Sequence, residues 1–222
     1  MSAPAITAAP GAPRARRAKP LPWLEPGVFV GGLTPLLSIA QRAATGELGA
    51  DPIAQALNEL GLVALVFLVA SLACTPAKIV FGWTWPLRIR RMLGVFAAAY
   101  AAFHVLTYVV LDQGCDWSAI VKDVLERKFI FVGAATFVLL VPLALTSTNG
   151  AVRRLGFARW KRLHRLAYAA GVLGVVHFFL RVKKDVSEPQ AYGIALAALF
   201  LVRVAIWLRD REAQRPQRSP IR

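Results

Sequence analysis

The sequence predicts an all-α, polytopic membrane helix bundle with six transmembrane helices. Three observations support this fold class. First, the 222 residues are 57% hydrophobic and their mean hydropathy is +0.52, beyond the usual apolar share of a soluble protein. Second, the apolar residues form separate blocks close to the ~20 residues that a helix needs to cross ~30 Å of hydrocarbon. Third, basic residues are concentrated in alternate connections between these blocks.

Six apolar blocks account for the six predicted spans. The first, at about 24–44, is the weakest, because it contains Gly31, Gly32 and Pro35 and is interrupted by Gln41 and Arg42. Four basic residues precede it, so a cleaved signal peptide is the alternative. We favour an uncleaved span, because five spans would place the N-terminal loop and the tail on opposite sides of the membrane. The other blocks are Leu60–Ala77, Met92–Leu111, Phe129–Thr146, Leu163–Leu180 and Ala191–Leu208.

The chain divides into one membrane domain and two basic ends. Residues 1–20 are predicted to be a disordered basic cytoplasmic arm, residues 21–209 a six-helix membrane domain, and residues 210–222 a basic cytoplasmic tail. Arg203 is close enough to the end of the last block to snorkel to the interface.

The distribution of charge orients the bundle. If the N-terminus is inside, 19 of the 27 Lys and Arg residues lie in the termini and in the connections on the same side. The positive-inside rule therefore predicts that both termini are cytoplasmic. We attribute the net charge of +15 to this topology signal and to attraction toward anionic membrane lipid. Nucleic acid is not an expected partner, because no soluble recognition domain carries the charge.

The chain has three histidines, and all lie in or beside the apolar blocks. An ionisable side chain at bilayer depth is a functional-site hypothesis, and imidazoles on two facing helices are what a haem iron takes from a protein. At 1.5 Å per residue, His104 lies ~18 Å and His177 ~22 Å from the cytoplasmic boundary. We therefore predict a haem between the third and fifth spans, with one axial nitrogen from each. Helix-to-helix hydrogen bonding and proton transfer are the alternatives for these histidines.

His164 and Arg181 are further candidate residues at the two ends of the fifth span. His164 lies roughly 20 Å from His177 along the helix, too far to serve the same iron. Its partners on the third span would be Arg90 or Arg91, which are not plausible iron ligands. A second haem at His164 would therefore be one-sided, would use a non-histidine ligand, or is absent. Arg181, one turn beyond His177, is expected to pair with a haem propionate or simply to snorkel.

Several motifs occur together over about residues 30–185. They are Leu48-Gly-Ala-Asp-Pro52, Arg90-Arg91-x-Leu-Gly, Ala-x-x-His104-x-x-x-Tyr, Thr146-Ser-Thr, Trp160-x-x-Leu-His164-Arg-x-x-Tyr and His177. With histidine separations of 60 and 13 residues, the pattern resembles the MsrQ (YedZ) family, the haem-binding membrane subunits of the bacterial periplasmic methionine-sulfoxide reductase system. The resemblance implies a ferric-reductase-like six-helix domain of the bacterial inner membrane that binds b-type haem, once or twice, and flavin mononucleotide (FMN).

The resemblance also implies partners and a direction of electron flow. Electrons would pass from a cytoplasmic NAD(P)H-dependent flavin reductase to a periplasmic molybdopterin enzyme that repairs oxidised methionines. The chain lacks a Gly-rich nucleotide-binding fingerprint, so we expect an electron-transfer subunit without catalytic residues rather than an enzyme by itself. Two alternatives remain open: another cytochrome b linked to quinone, and a transporter or proton channel whose histidines are protonated.

Overall fold

A computed structural model describes residues 21–213, so the predicted arm and the tail from residue 214 onward lie outside the described residues. Over the described range, the secondary structure consists of nine α-helices and one π-helical segment. The α-helices are α1 (Leu24–Thr45), α2 (Pro52–Phe81), α3 (Pro86–Leu106), α4 (Trp117–Glu126), α5 (Lys128–Leu145), α6 (Asn149–Leu155), α7 (Phe157–Leu163), α8 (Leu166–Arg181) and α9 (Ser187–Ala213). The π-helical segment, Thr107–Asp112, continues directly from α3.

Within residues 21–213, five helical stretches are long and apolar enough to cross a membrane, and they coincide with the five clear apolar blocks. They are Pro52–Phe81, Pro86–Asp112, Lys128–Leu145, Phe157–Arg181 and Ser187–Glu212. The predicted all-α membrane bundle is therefore confirmed. The weakest block forms α1, a helix of 22 residues that is long enough to span ~30 Å but is not among the stretches with sufficient hydropathy. Its Arg42 forms an ion pair with Glu59 of α2.

Two helix pairs form the centre of the bundle. One is the α2–α3 pair, the other is the α5–α8 pair, and within each the two helices contact one another along much of their length. The pairs meet in a core to which each helix contributes, with Leu68, Ala97, Leu140 and Ala170 among its members. Ala97 and Ala170 have no exposed surface, and such small residues let membrane helices approach closely. Outside this core, α1 packs against α2 and α3, and α9 against α2 and α8.

Tyr100 of α3 fixes α1 to the central helices. Its hydroxyl donates a hydrogen bond to the Gly32 carbonyl at 2.7 Å and accepts one from the Leu36 N–H at 2.9 Å. Those two backbone groups are four residues apart and would bond each other in an uninterrupted α-helix. The hydroxyl is thus inserted into the hydrogen-bond ladder of α1. At Gly32, an added Cβ would come within 2.4 Å of the Phe96 ring, so a glycine is needed for this close approach.

Two local features differ from the sequence-based expectation. The fifth span is not one regular helix, because a turn at His164 and Arg165 separates α7 from α8. The snorkelling expected for Arg203 was wrong, because its guanidinium finds acceptors inside the bundle. It donates to the Tyr168 hydroxyl at 2.6 Å and to the Leu72 carbonyl at 3.0 Å.

Candidate functional site

A cavity of about 470 Å³ lies between the two helix pairs, toward the end of the bundle that carries α4. Its volume falls within the range usual for cofactor sites, which are mostly apolar with a few placed polar groups. Leu65, Leu68, Phe137 and Leu140 belong to its apolar wall. Tyr108, Asp112, Arg127 and Arg181 contribute polar groups toward its α4 end.

His104 of α3 and His177 of α8 face each other across this cavity. Both line it, their ring centroids are 6.1 Å apart, and the ring planes are inclined by 82°. The structure therefore brings together the two histidines that the sequence placed at similar depth. Each comes from a different helix pair, so the space between the rings is also the space between the pairs.

Both rings are held in the same way by the partner helix within their own pair. His104 Nδ1 lies 2.8 Å from the Leu57 carbonyl of α2, and His177 Nδ1 lies 2.7 Å from the Phe129 carbonyl of α5. Since a carbonyl oxygen only accepts, each Nδ1 must carry the proton and donate. The tautomer is thereby fixed, and the Nε2 lone pair of each ring is left available for a metal.

The ring spacing is compatible with a haem iron held by both histidines. Imidazole–metal bonds of about 2.0–2.1 Å, extended by the distance from each nitrogen to its ring centre, require the centroids to be roughly 6 Å apart. The observed 6.1 Å meets that requirement. Two protein nitrogens and an apolar, confined space are the features by which a protein holds a six-coordinate haem. The residues present therefore fit this group.

Cationic side chains lie at the α4 end of the cavity. Arg181, which the sequence indicated, and Arg127, which it did not, both contribute to the lining. Arg127 Nε is 3.1 Å from Asp123 Oδ1, and the Tyr108 hydroxyl donates to Asp123 Oδ2 at 3.0 Å. Asp123 thereby links α4 to the π-helical segment that follows His104. Segments of π-helix are frequent at functional sites, and guanidinium groups suit carboxylates such as haem propionates.

His164 lies elsewhere and is engaged differently. It occupies the turn between α7 and α8 and is not among the residues that line the cavity. Its Nε2 is 3.1 Å from Thr146 Oγ1, whose hydroxyl donates to the Pro142 carbonyl at 2.6 Å. His164 Nε2 must therefore be the donor, and the Trp160 ring stacks on the imidazole at a centroid distance of 4.1 Å. The Nε2 proton thus occupies the position through which this nitrogen would bind an iron.

The motifs around His164 form one polar contact group at the end of the bundle opposite α4. Trp160 Nε1 donates to the Thr146 carbonyl at 2.9 Å, so the Thr-Ser-Thr and Trp-x-x-Leu-His motifs contact one another. Arg90 donates to Thr75 at 3.2 Å, and Arg91 to Asn149 at 2.6 Å.

Several lining residues were not identified from the sequence as part of the site. Asn58 and Gly61 of α2 and Gly133 of α5 line the cavity together with Arg127. Asn58 carried no signal of an intramembrane polar residue, because it lies beside Glu59 just before the Leu60–Ala77 block. The glycines carried no such signal, because small residues are common wherever membrane helices pack.

The fold and the site define a class of membrane protein. Residues 47–175 match the family described as "Ferric reductase like transmembrane component". This segment covers more than half of the chain and includes α2 through α7 and most of α8. The chain therefore belongs to the class of ferric-reductase-like transmembrane proteins, in agreement with the resemblance indicated by the motifs.

Comparison with curated proteins narrows the class. The chain is 51% identical over 188 residues to the "Protein-methionine-sulfoxide reductase heme-binding subunit MsrQ" of Rhodospirillum rubrum, covering 85% of this chain and 90% of that protein. Proteins of the same name from Deinococcus radiodurans and Caulobacter vibrioides are 50% identical over 192 residues and 46% over 188 residues. The matches cover 86% and 85% of this chain and 94% and 89% of those proteins. The chain therefore belongs to the MsrQ family.

Proposed function

We propose that this protein carries electrons across the bacterial inner membrane through a b-type haem whose axial ligands are His104 and His177. Its electrons would come from a cytoplasmic NAD(P)H-dependent flavin reductase. They would pass to a periplasmic, molybdopterin-containing methionine-sulfoxide reductase that repairs oxidised proteins. In this scheme the chain is an electron-transfer subunit of an oxidoreductase system, without catalytic residues of its own.

One observation carries the proposal. The imidazole rings of His104 and His177 lie opposite each other with their centroids 6.1 Å apart, and the Nδ1 atom of each is hydrogen-bonded to a backbone carbonyl. A histidine that serves only to join helices would use its ring to bond the neighbouring segment and would need no second ring opposite. A histidine that relays protons needs both nitrogens to exchange partners. Here each ring is locked in one tautomer with its Nε2 lone pair directed away from the bonded carbonyl.

When bound, haem supplies reversible one-electron chemistry, and the residues of this chain hold and shield it. His104 and His177 would both hold the haem iron, an arrangement that suits electron transfer rather than oxygen binding. The apolar wall formed by Leu65, Leu68, Phe137 and Leu140 would contact the macrocycle. Arg181 and Arg127 would compensate the propionate charges at the α4 end. We expect one haem in this cavity, and a second at His164 would require its hydrogen bond to Thr146 to break.

The orientation and the donor side follow from charge. Basic residues cluster in Arg153–Arg165, which spans α6 and α7 and the turn after them. The positive-inside rule would place this segment, and with it both termini, in the cytoplasm. It is also where an acidic surface of a flavin reductase could dock. Binding of FMN is proposed from the family resemblance alone.

The test is a set of oxidised and dithionite-reduced absorption spectra of purified wild-type protein, His104→Ala, His177→Ala and the matched control His164→Ala. We expect low-spin b-type bands in the wild type, loss of them in the first two variants, and largely unchanged bands in the control. Wild-type protein without haem, despite adequate haem supply during expression, would refute the electron-transfer assignment and favour the transporter alternative.

The partners need a separate experiment. Reconstituted protein should be reduced by NADH in the presence of a flavin reductase and reoxidised when the molybdopterin enzyme and methionine sulfoxide are added. Reduction by quinol with no response to the flavin reductase would instead support a quinone-linked cytochrome b.

A further inference from the structure

Glycines lie directly over the two carbonyls that hold the histidine rings. Leu57 accepts from His104, and four residues later comes Gly61. Phe129 accepts from His177, and four residues later comes Gly133. The same spacing therefore occurs in the α2–α3 pair and in the α5–α8 pair.

The geometry of an α-helix gives this spacing a physical meaning. The carbonyl of residue i already accepts from the N–H of residue i+4. Every Cα–Cβ bond tilts toward the N-terminus of the helix, so the side chain of residue i+4 overhangs the carbonyl of residue i. A glycine at i+4 uncovers that carbonyl, which can then use its second lone pair for an acceptor bond from another helix.

The distances agree with this explanation. A Cβ on Gly133 would lie 2.8 Å from His177 Nδ1, and a Cβ on Gly61 would lie 3.1 Å from His104 Nδ1. At Gly61 the nearest atom is the nitrogen that donates the hydrogen bond, and at Gly133 that nitrogen and the adjacent His177 Cε1 are equally near. By contrast, a Cβ on Gly94, in α3, would meet its nearest neighbour, Ser71 Oγ, at an ordinary 3.5 Å.

We propose that Gly61 and Gly133 are positioning residues for the axial ligands, because each keeps a helix carbonyl open to the Nδ1–H of the opposing histidine. The inference rests on the proposed haem ligation. Through these glycines, the backbone carbonyls set the tautomer, the orientation and the basicity of both histidine ligands.

The two substitutions to alanine should differ in severity. In Gly133→Ala the methyl group cannot be accommodated at 2.8 Å unless the ring leaves the Phe129 carbonyl. We expect the low-spin bands to fall to the level of His177→Ala. In Gly61→Ala a shift of the ring by a few tenths of an ångström should suffice, which lengthens the hydrogen bond without removing the ligand. Because a weaker Nδ1 hydrogen bond makes the imidazole less basic, the oxidised iron is less stabilised and the midpoint potential should rise.

The experiment compares protohaem content, electron paramagnetic resonance spectra, midpoint potential and thermal unfolding in wild type, Gly61→Ala, Gly133→Ala and the control Gly94→Ala. Complete loss of a supporting partner of this kind weakens metal retention about 10- to 100-fold, so a hydrogen bond that is only lengthened in Gly61→Ala should accelerate haem transfer to apomyoglobin by up to about 10-fold. Gly94→Ala should match the wild type in spectrum, potential and transfer rate. A changed potential with an unchanged unfolding temperature distinguishes positioning from a general packing defect.

The outcomes separate this inference from the proposed function. Wild-type protein without a haem that depends on His104 and His177 would refute the proposed function. Wild-type protein with that haem, combined with Gly61→Ala showing the wild-type potential and transfer rate, would overturn the role of the glycines alone. If Gly133→Ala does not elute as a monodisperse species, Gly61→Ala decides the question.

Discussion

Replacing Tyr100 by phenylalanine is expected to loosen α1 from the bundle and to leave the histidine cavity intact. The hydroxyl makes two hydrogen bonds, one to Gly32 and one from Leu36. Interhelical hydrogen bonds in membranes contribute about 0.6 kcal/mol each and up to about 1.7. Loss of both should therefore cost about 1–3 kcal/mol. The aromatic contact with Phe67, at a centroid distance of 5.5 Å, is retained in the variant.

Thermal unfolding in detergent, with amide hydrogen exchange resolved for α1, measures this effect. For a chain of this size, 1–3 kcal/mol corresponds to a lowering of Tm by roughly 2–12 °C. The exchange of the α1 amides should accelerate more than that of α5. Tyr192→Phe is the matched control, because within the described residues the Tyr192 hydroxyl makes no hydrogen bond. Equal Tm values for the two variants, with α1 exchange as in the wild type, would show that the inserted hydroxyl does not hold α1.

Two further predictions concern α1 and the connection before α9. Gly32→Ala should destabilise the protein by about 1–3 kcal/mol, because the new methyl group would meet the Phe96 ring, whereas Gly31→Ala enters open space and should be neutral or stabilising by up to about 1 kcal/mol. Similar unfolding temperatures for these two variants would contradict the packing argument. Hydrogen bonds from the side chain and N–H of Ser187 lower the pKa of Asp185. The stability that Asp185 contributes is therefore present above the ordinary carboxyl pKa of about 3.9 and is lost as the pH falls through the lower folded value. A spin label on the first turn of α9 should accordingly be more mobile in Asp185→Ala than in the wild type at neutral pH, and equally mobile in strong acid. A difference that persists in acid would exclude this carboxylate as the cause.

The overall architecture could be predicted because the bilayer imposes a length on each apolar segment. Five blocks became spanning helices, and the block weakened by Pro35 and Arg42 became α1, which is not among the stretches apolar enough to cross a membrane. The pairing of His104 with His177 followed from the fixed rise of a helix, which converts sequence position into depth. Both results depend on the regular geometry of the α-helix, in which the number of residues determines length and depth.

Other features depend on contacts between distant residues and could not be predicted in this way. The turn at His164 contains neither proline nor glycine, and its contacts are with Trp160 and with Thr146, 18 residues away. The hydroxyl of Tyr100 enters α1 from 68 residues away. The roles of Gly61 and Gly133 depend on which carbonyl each uncovers, and that becomes visible only when the facing helix is in place.

The arrangement of the two helix pairs determines what controls the distance between the two imidazole rings. Each ring is bonded to the partner helix of its own pair, so it should move with that pair as a unit. The separation of His104 and His177 is then set by the interface at which Leu68 and Ala97 meet Leu140 and Ala170. The apolar core therefore sets the width of the gap between the two imidazole rings, and a methyl group added there should widen that gap.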